Sequence, residues 1–403
     1  MKDHKNSQSV TFFYPSKVVG GAELLFYRLA VALSKFEHLN VNYIDFKDGF
    51  IANEIRKRNN RIHVIIFKKI SKIHLKDTVL VCPLSYLFEV IFHLKGNFRI
   101  FLWSIHPTAL ESRIIAVQRR SLRKYKNSEF GEELDLMIRK GGLYFMDLPN
   151  RDYQRNLFNL KNTTEEYLPI FVPETSLKKK YKQIENNKIN VGWLGRLCTE
   201  KTNALMNVIE HCNLYLIKYP EIHITLHIIG DGDDKKLIEK TRKEERLNVI
   251  LLGTLTGASL YNYLIENIDL VFAMGTSILE CSSLSLATVA VDFSYSPIPT
   301  SNKFKYVYEL QGYSVGEKYD PSNIYKHSFD DVINDIIYGQ VKNHGSLCYE
   351  YFRRNHDIEA VQTKFIERLT KNNLCSNDIQ ESKFAKFKLS VSLSKLISYI
   401  KNA

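Results

Sequence analysis

Ile189-Asn-Val-Gly-Trp-Leu-Gly-Arg-Leu-Cys-Thr-Glu-Lys201 opens as an apolar strand, ends that strand at Gly195 and turns into a helix near Thr202. A glycine there lets a ligand come close to the backbone, and a helix start leaves N–H groups without partners. Arg196 and Lys201 bracket the turn with two positive charges. At ~4 Å and an effective dielectric of about 20, one cation and one phosphate charge attract by roughly 4 kcal/mol before desolvation. A helix N-terminus adds ~0.3–1 kcal/mol. The segment is either a cradle for a diphosphate or a solvated basic loop that happens to hold a glycine, and spacing alone leaves both open.

The same strand–turn–helix form recurs. Leu270-Val-Phe-Ala-Met-Gly-Thr-Ser-Ile-Leu-Glu280 runs a buried strand into Gly275-Thr276-Ser277 and a helix with a Ser/Thr cap. Glu280, three residues after Ser277, fits a capping box. Alternatively its carboxylate accepts hydrogen bonds from a ribose, leaving the Gly275, Thr276 and Ser277 amides for phosphate or sugar oxygens. In the first half, Tyr14-Pro-Ser-Lys-Val-Val-Gly-Gly-Ala-Glu-Leu25 gives a strand, a Gly20-Gly21 turn and a helix beginning near Ala22. Phe101-Leu-Trp-Ser-Ile-His-Pro107 places His106 just past a central strand, where a histidine is either a satisfied hydrogen-bonding residue or a group facing a ligand.

Between these segments, short runs rich in Val, Ile, Phe and Tyr alternate with stretches of helical spacing, the pattern of βαβ units and parallel sheets. Six strands are expected before residue 147 and five more between 189 and 292. Leu168-Pro-Ile-Phe-Val-Pro-Glu174 and the polar run Ser176–Lys188 read as a linker, because two prolines and a basic, Asn-rich stretch cannot continue either sheet. The chain is therefore expected to divide into residues 1–172, a linker 173–188, residues 189–345, a helical segment 346–372 that packs back across the domains and a basic tail 373–403. Two such α/β domains are expected to face each other across a cleft, with the chemistry at the carboxyl ends of the strands. At 403 residues, 44% hydrophobic and 25% charged, the chain is long enough for two or three cores, and disorder and disulfide scaffolds are excluded. The net charge of +12 calls for an anionic partner. Six scattered cysteines without a C-x-x-C pair, a polar start and no long apolar window lead to the expectation of a cytoplasmic protein.

Taken together, Gly20-Gly21-Ala22-Glu23, His106, Gly195-Arg196 with Glu200-Lys201, Ile228-Ile-Gly-Asp-Gly232, Leu252-Gly253-Thr254 and Gly275-Thr-Ser-Ile-Leu-Glu280 resemble the GT-B glycosyltransferases of family four. That resemblance implies an α/β GT-B fold of two Rossmann-like domains, an acceptor side in the first and a nucleotide-sugar donor side in the second. It implies that Arg196 and Lys201 hold the donor diphosphate and act in catalysis, and that Glu280 binds the ribose. His106 would be catalytic, contacting the transferred sugar, and Gly21 would let the first helix approach phosphate. Gly253 and Leu255 lie where that family packs the nucleobase, beside the sugar-side Gly275, Thr276 and Ser277. Transfer with retention and without cofactor or metal is implied as well. One departure stands out: the family places another glutamate eight positions before Glu280, and here that residue is Phe272. Asp231-Gly-Asp233 spells a metal-binding D-x-D, but its place after a strand favours a polar turn.

Arg113–Lys126 carries six basic residues, Arg113, Arg119, Arg120, Arg123, Lys124 and Lys126, and no acid. It is either a lipid-docking face or a solvated helix face. The tail Lys383–Lys401 mixes lysines with Phe384, Phe387, Leu389, Val391, Leu393, Leu396, Ile397 and Ile400, and is expected at a membrane surface rather than packed on the protein. The expected partners are a nucleotide-diphosphate sugar, a lipid-linked saccharide of O-antigen or capsule synthesis and an anionic membrane at the inner face of the cytoplasmic membrane. A sugar-nucleotide epimerase or a soluble transferase on the same scaffold is the other enzymatic reading. Nucleic acid is not expected, since no RNP, KH, helix-turn-helix or zinc signature is present.

Overall fold

The computed structural model describes residues 8–18, 20–58, 61–119, 125–162, 165–182 and 187–387. It divides into two compact units, Met1–Ile170 with Ile358–Ala403, and Phe171–Asp357.

In the first unit the strands are β1 Gln8–Phe13, β2 Leu39–Asp45, β3 Ile62–Ile66, β4 Ile73–Pro83, β5 Leu94–Ser104 and β6 Leu143–Phe145. They form one parallel sheet in the order β3-β2-β1-β4-β5-β6. Helices cover both faces, which is why Val10, Phe12, Phe13, Leu80, Val81 and Cys82 read as unbroken apolar runs and are fully buried. The helix Gly21–Leu33 turns Leu25, Phe26, Leu29, Ala30 and Leu33 inward, positions three and four apart on one stripe.

In the second unit β7 Lys188–Leu194, β8 His223–Ile229, β9 Leu247–Gly253, β10 Leu270–Ala273, β11 Ala287–Ala290 and β12 Lys305–Tyr306 form a sheet in the order β12-β11-β10-β7-β8-β9. Only β12 is antiparallel, paired to β11. Its core packs Trp193, Phe272, Tyr306 and Phe329 around the helix Thr199–Lys218, which stops two residues before Pro220.

Both sheets therefore have the doubly-wound order 3-2-1-4-5-6, in which the order of strand addition reverses between the first and fourth strands. The crevice for a ligand lies there, between β1 and β4 in one unit and between β7 and β10 in the other. All eleven expected strands are present; β12, two residues long, carries no period of its own. The polar run after Pro173 does not stand apart. The Lys179 N–H donates to the Leu284 carbonyl (2.7 Å), Lys178 Nζ to the Ser283 carbonyl (2.7 Å), and the Ala287 N–H to the Tyr181 hydroxyl (2.6 Å).

One expectation needs correction. Phe384 and Phe387 are fully buried on the first unit, against Phe88 and Phe130, with Tyr125 on Phe387, so the start of the tail closes a core instead of meeting lipid. Burying each ring contributes about 1.5–3 kcal/mol to that core. Arg113 also faces protein, 3.6 Å from Glu89 and over the Tyr86 ring. Arg120, Arg123, Lys124 and the tail from Lys388 onward lie outside the described residues. Phe384→Ala is expected to lower the stability of the first unit by about 3–5 kcal/mol, whereas Lys383→Ala changes it by less than about 1 kcal/mol; denaturant unfolding of the two variants separates them.

Candidate functional site

The second unit builds its site from backbone. Where β7 ends, the Gly195 N–H donates to the Ile229 carbonyl (3.0 Å), the Leu197 N–H to the Asp231 carbonyl (3.0 Å), and the Asp234 N–H returns to the Leu197 carbonyl (3.2 Å). The turn after β8 thus lies flat on the turn after β7. Gly230 (φ 145°) and Gly232 (φ 157°) make that possible: a β-carbon on either would overlap the carbonyl oxygen of Gly195 or Leu197. Asp231 and Asp233 sit exposed in this turn, and Asp231 Oδ1 accepts from the Gly232 N–H (2.9 Å). The D-x-D pair is a backbone-bonded turn, and among the described residues no group of three or more His, Cys, Asp or Glu side chains is placed to hold a metal.

The helix begins at Thr199, three residues earlier than expected, with Cys198 at its cap and no side-chain oxygen capping it. Of its first N–H groups, that of Lys201 donates to the Cys198 carbonyl (2.8 Å), and a helix start leaves the ones before it without an intrahelical partner. Arg196 is exposed. Lys201 is half-buried, and its Cδ lies 3.7 Å from where a β-carbon on Gly195 would sit. Burial, joined by the nearby Arg196 charge, holds the Lys201 ammonium below the ordinary lysine range.

On the neighbouring strand, β10 stops at Ala273 and only Met274 and Gly275 separate it from the helix Thr276–Ser283. Gly275 caps that helix with φ 67°, a conformation that favours glycine, and the space beside its α-carbon is open. Its N–H donates to the Val315 carbonyl (2.6 Å). Ser277 is the second helical residue, so the Ser277–Glu280 capping box does not form. Thr276, Ser277 and Glu280 are all partly exposed. Eight positions before Glu280 the chain is still inside β10, and Phe272 is fully buried, stacked on Phe329 and edge-on to Phe304. Gly253 ends β9 with its carbonyl accepting from the Gly230 N–H (2.8 Å), and Leu255 follows, partly exposed.

In the first unit Gly21 opens the first helix, one residue before the expected start. The loop ahead of it is tied down by Asp45, whose Oδ1 accepts from the Ser16 N–H (2.9 Å) and whose Oδ2 accepts from the Ala52 N–H (3.0 Å). Glu23 accepts from the Ser16 hydroxyl (3.1 Å) and is buried. His106 is exposed two residues past β5, with Nδ1 3.3 Å from the Thr108 N–H. A cavity of about 10 Å³ opens beside it, lined by Pro83, Leu84, Trp103 and Ser104.

No protein-family model matches the sequence, and no curated protein is similar to it. Solved structures are similar in fold. A glycosyltransferase from Rickettsia africae ESF-5 superposes with a TM-score of 0.53 at 11% identity, over 94% of this chain and 100% of that one. TarM from S. aureus, as a point mutant in complex with fondaparinux, alpha-GlcNAc-glycerol and UDP, gives 0.53 at 14% identity, over 90% and 99%. A trehalose-6-phosphate structure from E. coli bound with UDP-2-fluoro glucose gives 0.51 at 10% identity, over 91% and 100%. The fold is GT-B.

Within the GT-B fold of this chain, the second unit brings Arg196, Lys201, Gly275, Thr276, Ser277 and Glu280 to the ends of two adjacent strands. Gly253 and Leu255 stand on the far side of β8. Gly21 and His106 belong to the first unit. Sequence reasoning missed the parts that hold these elements: the packing role of Gly230 and Gly232, Asp45 behind the first glycine turn, and the segments 292–294 and 315–319 behind the second unit's site. Nothing in their spacing marks them, because each acts on residues far away in the chain.

Lys201 sets a pH signature. An anion bound beside it stabilises the ammonium and raises its depressed pKa, so binding takes up protons at alkaline pH and weakens as pH climbs through the free-protein value. Titration calorimetry of UDP in buffers of different ionisation enthalpy is expected to show this uptake for the wild type and not for Lys201→Met.

Proposed function

We propose that the protein is a nucleotide-sugar-dependent glycosyltransferase of the family-four type. It moves a sugar from a nucleotide diphosphate to a lipid-linked saccharide in bacterial surface polysaccharide synthesis, O-antigen or capsule. The observation that carries this reading is the pairing, at the carboxyl ends of adjacent β7 and β10, of two cations with an uncapped helix start and an open Gly275 turn. A diphosphate needs both, charge from side chains and donors from backbone. The UDP in the TarM complex and the UDP-2-fluoro glucose in the E. coli structure support a nucleotide-sugar donor.

Breaking a glycosyl phosphate bond builds negative charge on the departing diphosphate and positive character on the sugar. Arg196 and Lys201 stabilise the first. Glu280 accepts the ribose hydroxyls, Gly253 and Leu255 border the base, and Thr276 and Ser277 offer amides to phosphate or sugar oxygens. His106 and Gly21, which opens a helix, have the roles the resemblance implies, contact with the transferred sugar and with phosphate. No carboxylate takes the part of Phe272, so sugar recognition falls to the backbone of Met274–Ser277. The acceptor adds on the face the diphosphate leaves, which retains configuration, and the leaving phosphate takes the acceptor proton; no metal enters. Arg196→Ala and Lys201→Ala are each expected to lower turnover about 10²–10³-fold with the unfolding transition in place. A panel of UDP-, GDP- and CMP-sugars, read by thermal shift and turnover, identifies the donor, and wild-type kinetics in either variant would refute the assignment.

A peripheral position on an anionic membrane is supported by the first unit's turn after β3. Ile70 is 97% exposed between the exposed Lys68, Lys69 and Lys72, none of which makes an ion pair among the described residues. Lys69 and Lys17 both stand 5.9 Å over the Phe46 ring, and Phe92, linked to it through the buried Phe67 and through His93, is itself exposed. An apolar tip inside a basic ring suits anionic headgroups, each lysine near the surface adding about 1 kcal/mol. No helix among the described residues is long and apolar enough to cross a membrane. Ile70→Asp combined with Lys69→Glu is expected to abolish sedimentation with phosphatidylglycerol vesicles at low salt; unchanged sedimentation would leave the membrane reading without its support in the first unit.

A further inference from the structure

We propose that Lys305 is a positioning residue of the donor site: its ammonium joins the two segments that hold the Arg196–Lys201 turn and the Gly275–Ser277 helix start in register. The proposal rests on the donor-site reading above and adds a residue that touches neither phosphate nor sugar.

Lys305 begins the edge strand β12, yet its side chain is only 8% exposed. Nζ lies 2.7 Å from Glu317 Oε1, 2.8 Å from the Tyr325 hydroxyl and 3.4 Å from Asp292 Oδ1, and 4.0 Å above the Tyr325 ring. Asp292, just past the end of β11, is buried as well. Its Oδ2 accepts from the Tyr325 hydroxyl (2.6 Å) and its Oδ1 from the Glu317 N–H (3.3 Å). Burial, with the Glu317 charge added, lifts the Asp292 carboxyl above its usual range, while Lys305 and the Tyr325 hydrogen bond pull it back. A buried ion pair is a poor way to close a sheet edge, since well-packed apolar residues do as well or better. What the charges supply here is directional: both Asp292 oxygens and Glu317 Oε1 are engaged, which holds the chain segments carrying Asp292 and Glu317 in register.

Those two segments lead to the two halves of the site. Beyond Asp292, the Phe293 N–H donates to the Glu317 carbonyl (2.9 Å) and the Tyr319 N–H to the Phe293 carbonyl (2.8 Å), tying the segments together. The Ser294 N–H then donates to the Glu200 carbonyl (2.9 Å), and Asn203 Nδ2 to the Ser294 carbonyl (3.0 Å). This arm ends on the residue before Lys201. The other arm ends on the second helix start: the Val315 carbonyl accepts the Gly275 N–H (2.6 Å), and a β-carbon on Gly316 would stand 3.2 Å from the β-carbon of Met274. Lys305 sits at the fork. If its charge is removed, the buried Asp292 carboxylate and the partly exposed Glu317 carboxylate lose their shared counterion and separate, carrying the Glu200 and Gly275 ends with them.

The test compares Lys305→Met with Lys305→Arg, Tyr325→Phe and the double variant Lys305→Met/Asp292→Asn. UDP affinity is read by calorimetry, and donor and acceptor KM by initial rates. Lys305→Met is expected to weaken UDP binding and to lower kcat/KM for the donor about 10- to 100-fold, as removal of a residue that orients a site's direct ligands does, with acceptor KM unchanged. Lys305→Arg is expected to restore most of the loss, the double variant part of it by removing one of the stranded charges, and Tyr325→Phe to show a smaller loss in the same direction. UDP affinity and donor KM equal to wild type in folded Lys305→Met and Tyr325→Phe would overturn the proposal. So would a lowered unfolding temperature in these variants with donor constants unmoved. Failure of the donor-site reading itself looks different: the wild type would then bind no UDP, or Arg196→Ala would bind it unimpaired.

Discussion

The second unit depends on one close approach, the turn after β8 laid against the carbonyls of Gly195 and Leu197. A parallel sheet ends in a row of backbone groups that its own ladder cannot satisfy, and those groups must find a partner elsewhere. Here Gly195 pairs with Ile229, and Leu197 with Asp231 and Asp234, across the ends of β7 and β8, while the Gly230 N–H donates to Gly253 at the end of β9. That fixes the backbone on one side of the crevice, where the helix Thr199–Lys218 starts without a side-chain cap. Gly230 and Gly232 permit this because a side chain at either would occupy the space of a carbonyl oxygen.

On that rigid backbone the charges acquire meaning. A lysine set half out of water beside an arginine is an unfavourable arrangement for the protein alone, and burial is the larger part of the cost. An anion relieves it. The opposite bank of the crevice contributes no charge of its own at Gly275, only amides and open space, so the two banks complement each other in kind. The first unit uses the same sheet order differently. Its glycine turn is anchored from behind by Asp45 and Glu23, whose carboxylates are spent on Ser16 and Ala52.

The strands were legible because burial on both faces forces unbroken runs of Val, Ile, Phe and Tyr, and the helices because their inward residues repeat at three and four. The Gly-Arg and Gly-Thr-Ser turns were legible for a related reason: each chemical element is contiguous in the chain. The capping box at Ser277 and the membrane role of Phe384 and Phe387 were misread. Whether Ser277 caps a helix depends on where the strand before it stops, and Gly275 takes the cap because β10 ends only two residues earlier. Whether a phenylalanine near the end of a basic chain meets lipid or protein depends on an open space next to Phe88 and Phe130, more than 250 positions away in the sequence.

Chain order alone dictated two runs of βαβ units with parallel sheets and the location of a cationic turn at a strand end, since periodicity and turn chemistry act over a few residues. Folding in three dimensions dictated which strand lies beside which, and with that the meeting of Arg196 and Lys201 with Gly275. It also placed Asp292, Glu317 and Tyr325 around one lysine. Such convergence is a property of the sheet order and of the backbone's need for hydrogen-bond partners, and neither is written in the spacing of the residues concerned.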